Sequence, residues 1–178
     1  MKFYVCRFVS NRLRWVQIQI NQFRLPTNYT VSRYNPSQSP ACSFCPDNSH
    51  YEYLPSLFWE CPVVQKFWIS FENILGPLFP DFKLDKKAAI FGDNSSNCDS
   101  VVNTILLWSR YFIWREKFTL KMLTENSFLG YIKDQIIQLL EIFSVQRVPK
   151  KQFKLWIPVF EYFDIAYDSI YYINDIMS

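Results

Sequence analysis

Three of the chain's five cysteines and its single histidine crowd into positions 42–61, within the run CSFCPDNSHYEYLPSLFWECPVVQKFW. Thiolates and imidazole are the ligands that tetrahedral zinc prefers, and two cysteines two residues apart can wrap one ion while leaving two positions for distant ligands. Cys42 and Cys45 form such a pair, Cys61 supplies a third thiol, and His50 is the imidazole between them. The competing reading is that the cysteines are small buried side chains and His50 an exposed loop residue. Cys6 and Cys98 stand alone and read as packing residues.

The first three of these residues, Cys42-x2-Cys45-x4-His50, have the ligand spacing of a retroviral-type zinc knuckle. The fourth ligand of that pattern falls on Pro55, so Cys61 has to close the site across a ten-residue loop. With Zn as the candidate cofactor, the expected ligands are Cys42, Cys45, His50 and Cys61.

Helical periodicity surrounds this segment. Leu13, Val16, Ile20 and Phe23 repeat at helical spacing over 11–23, and Pro26 forbids continuation. The stretch 26–41, rich in Pro, Ser and Asn, reads as a connecting loop. Pro62 suits the first turn of a helix carried by Val64, Phe67, Trp68, Phe71, Ile74 and Leu75 and stopped by Gly76-Pro77. Phe58, Trp59, Phe67 and Trp68 therefore read as core. Between 78 and 99 only AAIFG suggests a short buried turn. Ser100 can cap a long helix reaching Met122, and another starts near Ser127 and runs through Phe143. Pro158 breaks any helix in KLWIPVF, and 161–177 reads as a terminal helix. With only three glycines in 178 residues, the expectation is a mainly α fold: a helical domain with a small irregular zinc-knuckle insertion. Its parts are a basic N-terminal helix and turn (1–35), the knuckle and its following helix (36–76), and a helical C-terminal part (77–178), all in one compact unit.

Charge is distributed as a gradient. Lys2, Arg7, Arg12, Arg14, Arg24 and Arg33 precede the first acid, Asp47; the middle of the chain is balanced; and from Gln152 onward acids outnumber bases. An acid-free basic arm points to a polyanionic partner, with RNA or DNA backbone the commonest. Arg12, Arg14, Arg24 and Arg33 are the candidate phosphate contacts, and Phe44 or Tyr51 candidate stacking residues. Arg7 interrupts the apolar start, so no secretory signal is expected, and the reading is an intracellular protein, cytoplasmic or nuclear. The most apolar window, 104–114, is far shorter than the ~20 residues of a membrane span and contains Arg110. No Asp-Asp pair, phosphate-cradling glycine loop or Ser-His-Asp set is legible, which argues against an enzyme and against a small-molecule substrate.

The run CSFC…SLFWECPVVQKFW resembles the reverse-transcriptase zinc-binding region near the carboxyl end of non-LTR (LINE-type) retrotransposon polyproteins. The likeness extends in order through NRLRWVQIQINQFRLPTN, ILLWSRYFIWREK and QFKLWIPVF. It implies a non-catalytic accessory region that helps a polymerase engage its RNA template or target DNA, with the rest of such a polyprotein as a partner and this chain as a truncated or remnant piece. The chain departs from the family at Ser56, which occupies the family's histidine position; either His50 substitutes from a different loop position or the site is degraded. The alternatives are a metal-free helical protein-interaction module and an inactive remnant.

Overall fold

A computed structural model describes residues 9–45, 50–93, 100–119, 123–146 and 148–167. The architecture is mainly helical. Among the described residues eight α-helices run in chain order as α1 (Asn11–Asn21), α2 (Asn28–Ser32), α3 (Pro62–Leu75), α4 (Lys86–Phe91), α5 (Ser100–Thr119), α6 (Glu125–Val145), α7 (Lys150–Lys154) and α8 (Ile157–Tyr162), with one π turn at Ser56–Glu60. Helix α5 is the axis, packed against α1, α4, α6 and the π turn. Every residue of α5 from Val101 to Ile113 is buried, so it has no solvent face there. A helix buried all round sits in the middle of a bundle, even though this one carries Asn103, Thr104, Ser109 and Arg110. Of its buried polar groups, Thr104 Oγ1 donates to Ser100 O at 2.7 Å and Ser109 Oγ to Ile105 O at 2.9 Å within the helix, while Arg110 donates to Ala88 O of α4 at 3.2 Å.

Helix ends follow the sequence where punctuation is strong. Ser10 caps α1, Pro62 sits in the first turn of α3, and Thr124 caps α6, which therefore starts at Glu125, slightly earlier than the Ser127 expected. Gly92 ends α4 at φ 83°, where an added Cβ would stand 2.8 Å from Asn103 Oδ1. Asn103 is committed there, accepting from Asp93 N and donating to Asp93 O, both at 2.9 Å. The AAIFG turn is thus a true, if short, helix. Phe67, Phe71, Phe112 and Phe128 interlock in the core, with the Phe67 and Phe128 ring centroids 4.8 Å apart. As expected, Phe58, Phe67 and Trp68 are buried and Trp59 packs partly buried against them.

Three expectations are corrected. The loop at 26–41 contains α2, because Thr27 and Thr30 cap it reciprocally through backbone N–H and side-chain hydroxyls. Pro158 does not break a helix; it lies in the first turn of α8, where its missing N–H costs nothing. The terminal segment leaves the helix after Tyr162: Ile165 N returns to Phe160 O and Asp164 N to Glu161 O, with Asp164 at φ 51°. That pattern is a Schellman turn, which ends the helix. Cys6, Cys98 and positions 168–177 of the expected terminal helix lie outside the described residues.

Candidate metal centre

Two short extended segments build the knuckle. Ala41 and Tyr51 form an antiparallel bridge, with Cys42 N donating to His50 O at 3.0 Å and Glu52 N to Pro40 O at 2.9 Å. The pairing fixes Cys42 and His50 side by side, and Cys45 follows in the connection. Cys61 arrives from the other side, carried by the π turn, whose closing bond runs from Cys61 N to Ser56 O at 3.2 Å. Single π turns tend to mark functional positions because they rotate one side chain out of helical register.

One ligand atom from each of Cys42, Cys45, His50 and Cys61 lies within 4.8 Å of the others, so the four can hold a metal ion. Cys61 Sγ is 3.7 Å from Cys42 Sγ and 3.5 Å from Cys45 Sγ. Two sulfurs on one tetrahedral zinc, each bonded at about 2.3 Å, lie about 3.8 Å apart. Bonded disulfide sulfurs would be only about 2.05 Å apart. The spacing thus fits a shared cation and no disulfide. All three cysteines are buried, and His50 Nε2 is shut off from solvent.

The electrostatics of the thiols have the same implication. Cys42 is pushed above its ordinary range by its hydrogen bond to Cys61 and by burial. Cys61 is lowered, first by the Cys42 thiol and then, against burial, by the Val64 and Val63 N–H groups that open α3. A divalent cation bound there would replace the thiol protons, because a coordinating thiol is deprotonated outright.

Ser56, at the position where the resemblance expects histidine, is spent elsewhere. Its hydroxyl accepts from Tyr53 N at 2.9 Å and lies 2.9 Å from the carbonyls of Tyr51 and Tyr53. It closes the turn before Cys61, and the imidazole beside the sulfurs is that of His50.

A buried carboxylate that the sequence reading did not single out joins the knuckle to the body. Glu52 Oε1 meets Lys117 Nζ of α5 at 2.6 Å, with their side chains 0% and 3% exposed. The same carboxylate accepts from Asn28 N and Ser43 N, each at 3.0 Å. Asn28 Nδ2 adds bonds to Ala41 O at 2.8 Å and Ser43 Oγ at 3.0 Å. Glu52 therefore fastens the N-terminus of α2, the knuckle and the central helix at one point. The pair is separated by 65 positions, so no local pattern could reveal it.

The four candidate arginines do not form one patch. Arg12 lies over the Tyr111 ring at 5.4 Å. Arg14, two residues along α1, points some 200° away around the helix. Arg24 and Arg33 instead line one open cleft. Of the proposed stacking residues, Phe44 packs against the core, while Tyr51 is exposed and stacked on Tyr29 at 5.9 Å. Among the described residues no helix is long and apolar enough to cross a membrane. Comparison with family models, curated proteins and solved structures finds no match.

Proposed function

We propose that this chain is a zinc-clipped, non-catalytic module that binds RNA or single-stranded DNA, in the role that the resemblance to the accessory region of LINE-type reverse transcriptases implies. The observation that carries the reading is the Cys42, Cys45, His50 and Cys61 quartet, with ligand atoms within 4.8 Å of one another. Three buried thiols and one half-buried imidazole this close together would give a zinc ion four protein ligands, a closed structural site with no open position for a substrate. Zinc there supplies rigidity. It holds the bridge at Ala41–Tyr51 against the start of α3, while Glu52 passes that rigidity to α2 and α5.

The nucleic-acid half of the reading is supported by the basic, acid-free first 46 residues and by Arg24 and Arg33 on one cleft. The intact chain, purified without chelator, is expected to carry one equivalent of zinc and to bind single-stranded RNA with an affinity that falls linearly as log salt rises. A chain that folds without metal and binds no RNA would be the metal-free protein-interaction module or an inactive remnant.

A further inference from the structure

The end of α1 is built in an unusual way. Arg24 N returns to Gln19 O at 2.8 Å and Phe23 N to Ile20 O at 3.0 Å, the two bonds of a Schellman turn. The position between the helix and Arg24 must then be left-handed, and glycine normally fills it. Here it is Phe23, at φ 54°. The equivalent position after α8 is Asp164, a residue type that tolerates that region. For a bulky aromatic the conformation is strained, and such strain concentrates at functional sites. Core packing does not explain Phe23. It is 67% exposed, and its ring meets Phe91 edge to face with centroids 5.9 Å apart.

What the turn achieves is to bring Phe23 and Arg24 onto one wall of an open cleft of about 410 Å³. The rest of the lining is Pro26, Thr30, Val31, Arg33 and Tyr34, and Tyr34 is 90% exposed. No lining residue is acidic. Two guanidiniums and two exposed aromatic faces are the combination that grips a phosphate while stacking an unpaired base. An acidic peptide would satisfy the arginines and leave the rings without a role. Thr30 and Val31 of the lining belong to α2, whose first residue hangs on Glu52 and the knuckle.

We propose that this cleft is the site at which the chain takes a single-stranded nucleic acid, with a backbone phosphate on Arg24 and Arg33 and a base against Phe23 or Tyr34. The inference rests on the nucleic-acid reading above and assigns its location. The test is fluorescence anisotropy of a labelled ten-residue oligouridylate with the full chain, its Phe23→Gly variant, the Arg24→Gln/Arg33→Gln variant, and Lys133→Gln on α6 as a control. Phe23→Gly relaxes the turn, so melting temperature should hold or rise while affinity falls roughly tenfold. The arginine pair should lower the log-log salt slope by about 1.4, two contacts at about 0.7 each. Lys133→Gln should match the parent. Equal binding of an abasic strand, or displacement by polyglutamate at equal charge, would overturn the cleft as a base-stacking site and assign it to acidic peptides. If the parent binds and both cleft variants bind as tightly, the cleft assignment falls while the nucleic-acid reading stands. If the parent binds no strand at all, both fall.

Discussion

The knuckle and the helical body are held together by different physics. In the body, apolar side chains dominate: Phe67, Phe71 and Phe128 interlock with Phe112 of α5, where Thr104 and Ser109 bond within the helix while Asn103 and Arg110 reach Asp93 and the carbonyls of α4. The knuckle joins that core through Leu54, Leu57 and Phe58, but its extended half is tied down differently. It is organised by three sulfurs, one imidazole and the Glu52 carboxylate, with the Ala41–Tyr51 bridge in its extended backbone. A core of many side chains degrades gradually when one is trimmed, whereas a cluster of four ligands is present or absent. The two regions should therefore respond oppositely to metal removal and to cavity-making substitutions.

The largest effect belongs to the ligands. Cys42→Ser with Cys45→Ser should take zinc from one equivalent to none, removing a coupling on the order of 10 kcal/mol from the knuckle. Limited proteolysis should then open the chain between residues 40 and 55, while far-ultraviolet circular dichroism keeps most of its helical signal. A body that unfolds with the knuckle would erase the contrast. Phe112→Ala should act on the other side, costing about 4 kcal/mol in urea denaturation with zinc content unchanged.

The junction comes next. Glu52→Ala leaves Lys117 buried without its carboxylate and should cost about 3 kcal/mol; adding Lys117→Met should recover part of that loss, measured as a double-mutant cycle. Ser56→Ala should cost only about 1 kcal/mol, from the partner lost by Tyr53 N, and should retain zinc. The smallest effect is Glu60→Gln. It breaks the 2.6 Å pair with Lys86, but both side chains are a third or more exposed, so stability should change by less than about 1 kcal/mol.

What could be read from the residues follows the same division. Helices α3, α5 and α6 announce themselves because apolar periodicity and strong punctuation, such as Pro62 and Gly76-Pro77, are local properties. The spacing of Cys42, Cys45 and His50 was legible for the same reason. The resemblance aligns the family's histidine with Ser56, whereas the spacing named His50, and the bridge between Ala41 and Tyr51 brings His50 beside the sulfurs. Helix α2 was missed because its start depends on Thr27–Thr30 reciprocity and on a carboxylate 24 residues away. The turn at Phe23 was missed because its usual sign, glycine, is absent, and that absence is what makes the position informative.

The most direct test of the metal centre is X-ray absorption at the zinc edge of the purified chain. Three sulfurs at about 2.3 Å and one nitrogen at about 2.0 Å, with the nitrogen lost in His50→Ala and kept in Ser56→Ala, are the predicted shells. A first shell with fewer than three sulfurs, or one unchanged by His50→Ala, would contradict it.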